Sequence, residues 1–300
     1  MQHPIVVGTD LTEASDDALI QAEARASRDG TPLTVVHAMS PLLWGAVDDA
    51  LAITRIEALI RKHVNALTGR DDPEYEVIVE RGQAHLVLAR LAISRQALLV
   101  VGTHMHHGLG HALLRDVTER VIERARGPVL VTRPQIGSDR ILVAVDRPFN
   151  ASAALDAAIE EARSSSALLT AFHCLNVGFM TTLAADLFNG GAYAARPMGQ
   201  RPPLSEVRQA LRVELRRRQI DADLYVVEGD ARELISEVAT RVKADLIVMG
   251  TAHRPAPTPQ ITTSVLRHAD CSVLVVDEQA LTASSSVHTR AGSGKPSSAP

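Results

Sequence analysis

The stretch Ile5-Val6-Val7-Gly8-Thr9-Asp10 decides the fold of this chain because it occurs twice. It returns as Ile141-Leu142-Val143-Ala144-Val145-Asp146, in the same place relative to the segments that follow. Three further segments recur in the same order: Leu33–His37 as Leu169–His173, Leu98–Thr103 as Leu246–Thr251, and Pro128–Val131 as Ser272–Val275. The chain is therefore a tandem duplication of one structural unit.

Short runs of valine, leucine and isoleucine alternate with helix-period stretches in each half, a pattern typical of a parallel sheet that is buried on both faces. The predicted strands are 4–10, 33–38, 75–80, 97–102 and 128–132, then 140–146, 168–174, 222–228, 244–250 and 272–277. The predicted helices are 14–28, 48–67, 83–94 and 116–126, then 152–164, 204–218, 230–241 and 259–268. The pattern predicts an α/β fold of two tandem doubly wound domains, each a five-stranded parallel sheet of order 3-2-1-4-5 flanked by helices. The ligand crevice of such a sheet lies between the carboxyl ends of its first and fourth strands.

The repeat also sets the expected domain boundaries. We expect a first domain over 1–134 and a second over 139–278, joined by the short linker 134–139. Residues 281–300 are mostly Ala, Ser, Gly, Thr and Pro without periodicity, so we expect a disordered tail. A chain of 300 residues is long enough for two domains that each bury a core.

Composition excludes several classes of protein. Hydrophobic residues at 46% and charged residues at 22% are typical of a globular chain, and a net charge of −4 without a basic half argues against nucleic-acid binding. No apolar run approaches the length of a membrane span, and the first residues carry no positively charged leader, so we expect neither a membrane segment nor a secretory signal. The two cysteines lack C-x-x-C spacing, which favours the reducing cytoplasm.

Each half carries the same four marks: an Asp that ends the first strand, a His that ends the second, a Gly after the third, and Gly-Thr that ends the fourth. In this order, twice over, the chain resembles the universal stress protein family and its tandem two-domain members. The resemblance implies a cytoplasmic stress-response protein that acts through binding, its two domains forming an intramolecular pseudo-dimer by pairing the fifth strands, Val129–Thr132 and Val273–Val276. A further homodimer and an unknown protein partner stay open.

Nucleotide-binding members of that family carry G-x2-G-x9-G-[S/T] between the fourth strand and the fourth helix. The four motif positions fall here on Gly102, Met105, Arg115 and Asp116, so only the first glycine is present. Asp116-Val-Thr-Glu119 instead has the pattern of a capping box, whose carboxylate would repel phosphate at the helix end. Arg115 offers a side-chain substitute for the missing amides.

The second half has a shorter connection after its Gly-Thr, and residues 253–259 bring three prolines and no glycine. Because proline has no N–H, this segment lacks donors that a phosphate cradle would use. We therefore expect degenerate phosphate loops in both halves and no tight binding of ATP.

The adenosine part of the pocket is better represented. The resemblance places Asp10, Ala38, Val101, Asp146, Cys174 and Met249 there. The whole possible residual nucleotide pocket has twelve candidate residues: Asp10, Ala38, Val101, Gly102, Thr103, Arg115 and Asp116 in the first half, and Asp146, Cys174, Met249, Gly250 and Thr251 in the second. Either aspartate could equally cap the turn that follows its strand. The alternative function is thus an adenine-nucleotide sensor or slow ATPase that takes ATP or AMP as its ligand.

Other chemistry has weaker support. His104, His106, His107 and His111 crowd one segment without the Cys, Asp or Glu of a defined site, so we expect a solvated, pH-sensitive loop and no physiological metal. His37 and His173 are expected to bond to backbone. With no G-x-S-x-G, Walker or H-E-x-x-H motif, we expect no enzyme and no required cofactor. The longer excursion 176–203, rich in apolar residues, favours packing on its own domain, with a lid or partner contact left open.

Overall fold

A computed structural model describes residues 3–39, 49–69, 75–103, 117–135, 137–146, 152–176, 203–251 and 260–277. Within these ranges the chain forms ten strands and eight helices. The first half holds β1 (Ile5–Gly8), α1 (Glu13–Asp29), β2 (Leu33–Met39), α2 (Asp49–Thr68), β3 (Tyr75–Arg81), α3 (Ala84–Arg95), β4 (Leu98–Gly102), α4 (Val117–Arg124) and β5 (Val129–Thr132). The second half holds β6 (Arg140–Ala144), α5 (Ala153–Ser165), β7 (Leu168–Asn176), α6 (Leu204–Arg217), β8 (Ala222–Gly229), α7 (Ala231–Val242), β9 (Leu246–Thr251), α8 (Gln260–His268) and β10 (Ser272–Asp277).

The ten strands form one continuous sheet in the order β3-β2-β1-β4-β5-β10-β9-β6-β7-β8. The predicted order 3-2-1-4-5 is therefore confirmed in each half. Strands within a half are parallel, whereas β5 and β10 pair in antiparallel fashion, with Leu130 opposite Leu274. The predicted pairing of the two fifth strands is confirmed, and it removes one open edge from each half.

Helices cover both faces of this sheet. One face carries α1, α2, α5 and α6, and the other carries α3, α4, α7 and α8. Alternation along the strands divides the buried residues between the two layers: Val7 and Leu130 face the first, while Val6 and Leu99 face the second. Each cluster contains residues of both halves, so the two halves share two continuous core layers.

The sequence predictions of element bounds agree with the structure to within two residues at each end. The largest differences include the ends of β1 and β6, which stop at Gly8 and Ala144 instead of continuing to the aspartates. The physical reason in the first half is a tight turn: Leu11 adopts φ 63°, and its N–H donates to Thr9 Oγ1 at 3.1 Å. Thr9 and Asp10 therefore leave the strand and face the crevice.

Asp245, just before β9, holds the linker between the halves. Its carboxylate accepts the N–H of Gly137 at 3.0 Å and the N–H of Ser138 at 2.7 Å, and the Ser138 hydroxyl also donates to it at 2.8 Å. The tail 281–300 and all of the 176–203 excursion except its two end residues lie outside the described residues. Among the described helices, none has the length and apolar character needed to cross a membrane.

Candidate functional site

Strand register brings the first-half candidates to one edge of the sheet. Gly8 lies opposite Val36 on β2, and Val7 lies opposite Val100 on β4. Asp10 follows the end of β1 at the same edge of the sheet where Ala38 lies near the end of β2 and Thr103 follows β4. The structure thus assembles the crevice between the carboxyl ends of β1 and β4 that the doubly wound order requires.

The second half repeats this arrangement. Ala144, the last residue of β6, lies opposite both Phe172 on β7 and Met249 on β9, so Asp146 follows at the edge of the sheet where Cys174 and Thr251 lie. Each half therefore has an aspartate, a small side chain and a threonine at the carboxyl edge of its sheet.

Asp10 stabilises the turn between β1 and α1. Its Oδ1 accepts the N–H of Thr12 at 3.0 Å and the hydroxyl of Thr12 at 2.6 Å, although the residue itself is exposed. This is an aspartate turn that leads into α1. The turn-capping role that the sequence left open is present, and it occupies one carboxylate oxygen.

Gly102 meets the first turn of α1 so closely that no side chain fits. A Cβ placed on Gly102 would lie 2.0 Å from the carbonyl oxygen of Ala14. The neighbouring Thr118 of α4 is buried, and its hydroxyl donates to the Gly102 carbonyl at 3.4 Å. This glycine is therefore required by packing between β4, α1 and α4, whether or not a phosphate binds beside it.

Two histidines at equivalent places of β2 and β7 each hydrogen-bond to a backbone carbonyl, as predicted. His37 Nδ1 bonds to the carbonyl of Thr9 at 2.9 Å, and His173 Nδ1 bonds to the carbonyl of Val145 at 2.6 Å. Since a carbonyl only accepts, each Nδ1 carries the proton. His173 is buried and has no hydrogen-bond partner at Nε2 among the described residues, and burial lowers its pKa, which keeps the ring neutral at pH 7.

The remaining second-half candidates occupy different depths. Asp146 is exposed at the edge, whereas Met249 is buried in the core layer under α7 and α8. The thiol of Cys174 donates to the carbonyl of Gly229 at 3.3 Å, and burial, followed by the nearby carboxylate of Asp230, raises its pKa to about 11. A thiol with such a pKa is protonated at neutral pH and is a poor nucleophile. Gly250 and Thr251 end β9, beside the last residues of β10.

Part of the predicted site lies outside the described residues, namely Arg115, Asp116 and the histidines His104, His106, His107 and His111. Glu119, the far end of the predicted capping box, does lie within them. It forms an ion pair with Arg267 of the other half, with 2.8 Å between Arg267 Nη2 and Glu119 Oε1. Within the described ranges, no cluster of three or more His, Cys, Asp or Glu could hold a metal ion.

The crevice groups that are described share one kind of chemistry. A carboxylate, a threonine hydroxyl and backbone groups at the strand ends suit the hydroxyl and amino groups of a small polar ligand. Val101 and Met249 are 5% and 4% exposed and belong to the core layer that packs against α3, α4, α7 and α8.

Comparison with known proteins gives a consistent result. The model of the universal stress protein family matches residues 1–133 and again 137–277. The stress response protein NhaX of Bacillus subtilis is 31% identical over 133 residues, which cover 38% of this chain and 80% of that protein. Universal stress protein Rv2005c of Mycobacterium tuberculosis is 33% identical over 139 residues, and the match spans 44% of this chain and about half (46%) of that protein.

A solved structure shares the whole architecture. The universal stress protein from Archaeoglobus fulgidus superposes with a TM-score of 0.69 and 16% identity, covering 93% of this chain and 97% of that one. At such identity the likeness shows the fold alone. The two matches to the family model, one in each half of the duplicated sheet, establish that this chain belongs to the universal stress protein family.

Proposed function

We propose that this protein serves the stress response in the cytoplasm by binding, without catalysing a reaction and without binding ATP tightly. Membership of the universal stress protein family supports the stress-response role. The crevice supports the finer part of the proposal, because Asp10 and Gly102 both serve the fold itself, in the turn into α1 and in the contact with Ala14.

Sequence adds the second argument against tight ATP binding. Met105, Arg115 and Asp116 stand where the nucleotide-binding motif has its later glycines and its Ser or Thr, and three prolines stand in the corresponding segment of the second half. Loss of backbone N–H donors and of close backbone approach weakens the contacts a triphosphate needs.

The alternative is a sensor of ATP or AMP, or a slow ATPase. One observation favours it: both halves place equivalent residues at the carboxyl edge of the sheet, namely Asp10, Ala38 and Thr103 in the first and Asp146, Cys174 and Thr251 in the second. A ribose or adenine ring could use these groups without the phosphate loops.

Thermal unfolding with millimolar adenosine, AMP or ATP with magnesium distinguishes a protein that does not bind ATP tightly from a nucleotide sensor. A ligand present at 100 times its Kd stabilises the folded state by about 2.7 kcal/mol, and each kcal/mol raises Tm by about 2–4 °C for a domain of 150–250 residues. We expect no shift with ATP. A rise of several degrees that grows from adenosine to ATP would overturn the proposal and establish phosphate recognition, whereas equal rises with all three ligands would establish the adenosine pocket alone.

Asp10→Asn is the matched variant for that experiment. It keeps the side-chain shape and an acceptor for the N–H of Thr12, so the turn into α1 is retained. If a ligand shift is seen in the parent protein and disappears in this variant, the first-half crevice is the site.

A further inference from the structure

We propose that the contact between the two halves accepts only unlike halves, so that a first half pairs with a second half and not with the first half of another copy. The contact centres on β5 and β10, where Leu130 lies opposite Leu274. These leucines are equivalent in the internal repeat, so a pseudo-two-fold axis passes between them. Equivalent residues near such an axis come face to face.

The paired strands themselves cannot choose between partners. Val129-Leu130-Val131 and Val273-Leu274-Val275 have the same sequence, and the antiparallel register is symmetric, with Val131 opposite Val273 and Val129 opposite Val275. A like half from a second copy would offer the same edge with the same hydrogen bonds. Discrimination therefore has to come from side chains on the helices beside the axis.

On one face of the sheet, an ion pair between Arg25 of α1 and Glu161 of α5 discriminates between unlike and like halves. They are separated by 136 residues, the offset of the repeat in this region, so they occupy equivalent positions with opposite charge. Arg25 Nη1 lies 2.5 Å from Glu161 Oε1, and the two side chains are only 11% and 16% exposed. Pairing of like halves would put Arg against Arg, or Glu against Glu, in the same nearly buried position, where an uncompensated charge is strongly destabilising.

On the opposite face of the sheet, a second ion pair joins the two halves, between Glu119 of α4 and Arg267 of α8. Arg267 donates to Glu119 through Nη2 at 2.8 Å and through Nε at 3.2 Å, and the Glu119 side chain is only 14% exposed. The repeat equivalent of Arg267 is Glu123. Two first halves would therefore oppose Glu119 with Glu123 at this place, on both sides of the axis.

Arg133 adds a third contact that exists on one side only. Its buried guanidinium donates to the carbonyl of Cys271 at 3.2 Å and to that of Leu266 at 2.5 Å, capping the end of α8. The equivalent residue in the second half is Asp277. A pair of second halves would therefore lack these two hydrogen bonds to the carbonyls of Cys271 and Leu266.

The backbone of Arg133 also makes a hydrogen bond to the second half that has no equivalent on the other side of the axis. The N–H of Arg133 donates to Ser272 Oγ at 3.0 Å, and the Ser272 hydroxyl donates to Gln21 Oε1 of α1 at 3.2 Å. The equivalent of Ser272 is Pro128, which has no hydroxyl. A pair of first halves would leave this buried N–H without its acceptor, at the full cost of desolvation.

The test uses the full chain with a protease site inserted after Gln135 in the linker. The nicked protein is unfolded in urea, refolded as a mixture, and weighed by native mass spectrometry, which distinguishes the two halves. Random pairing would give about one half unlike pairs. We expect unlike pairs almost alone from the parent chain, and a clear rise in like pairs when Arg25, Glu161, Glu119 and Arg267 are all replaced by glutamine.

The matched control removes an ion pair that lies within one helix, Arg241 with Glu237, both more than half exposed. Arg241→Gln with Glu237→Gln should leave the pairing unchanged. Random pairing in the parent chain, or equal amounts of like pairs in the parent and the four-glutamine variant, would overturn the proposal.

A second measurement on the intact chain does not depend on refolding of nicked halves. Arg25→Glu and Glu161→Arg each place like charges together, and we expect each to raise the unfolding equilibrium constant about tenfold or more in urea titrations. The double variant restores an opposite pair with reversed polarity and should recover part of the loss, because the arginine at position 161 then lies near Arg28, whose Nη2 is 3.8 Å from Glu161 Oε2. A double variant as unstable as the sum of the two single variants would show that the charges do not select the partner.

Discussion

Replacing Gly102 with alanine should destabilise the protein strongly in the absence of any ligand. The added Cβ would lie 2.0 Å from the carbonyl oxygen of Ala14, well inside van der Waals contact, and 3.3 Å from the Cα of Ser15. Because the obstacle is backbone, relief requires the first turn of α1 to move by about 1 Å. Overpacking of this kind costs about 1–3 kcal/mol, and loss of the hydrogen bond between Thr9 and Ser15, now 3.0 Å, adds about 1 kcal/mol.

The expected loss of about 2–4 kcal/mol is measured by urea unfolding followed by far-ultraviolet circular dichroism. Gly127→Ala is the matched control, since a Cβ there meets its nearest atom at 3.6 Å, an ordinary contact. That variant should stay within about 0.5 kcal/mol of the parent or gain slightly, because alanine reduces the entropy of the unfolded chain. If Gly102→Ala is as stable as Gly127→Ala, the clash with Ala14 does not exist in solution and the steric reasoning is wrong.

Three other perturbations follow from the same contacts. Burial holds the pKa of His173 below its ordinary value, so below about pH 6.5 the unfolded chain takes up a proton that the folded chain does not, and stability falls with falling pH. His173→Asn keeps a donor for the Val145 carbonyl, and its free energy of unfolding should fall less between pH 7 and 5; equal slopes would contradict this. Cys174 and Cys271, whose pKa values burial raises to about 11 and about 12, should resist iodoacetamide at pH 8 in the folded protein and react after unfolding, as mass spectrometry would show. Asp245→Asn weakens the bonds to the N–H groups of Gly137 and Ser138, and should cost about 1.5–3 kcal/mol and speed proteolysis of the linker; unchanged proteolysis would count against that anchoring role.

The sheet could be predicted from sequence because its signals are local and repeated. Runs such as Ile5–Gly8 and Leu98–Gly102 are apolar at successive positions, as strands buried on both faces must be, and the rule for parallel crossovers leaves few possible orders. The pairing of β5 with β10 was implied by the family resemblance, and it covers the edge that each half alone would leave open.

The roles of individual site residues could not be predicted in the same way. Asp10 has the same sequence context whether it binds a ligand or caps a turn, and only the position of Thr12 shows that it caps one. Glu119 fits a capping box by spacing, yet its partner Arg267 lies 148 residues away in the chain. Such a contact depends on how α4 and α8 meet across the axis, and no pattern within one half contains that information.

Linking the two halves in one chain changes what a residue near the axis can be. In a symmetric pair of identical domains, a charge at the position of Arg25 meets a copy of itself, and every substitution there acts twice. In the linked chain the two equivalent positions are encoded separately, so they can hold different residues. Arg25 and Glu161 occupy these positions and form a nearly buried ion pair. The same freedom lets Arg133 cap α8 while its counterpart Asp277 sits at the end of β10. Asymmetry around the axis is therefore the physical consequence of duplication within one chain, and it makes the second half a better partner for the first than any copy of the first could be.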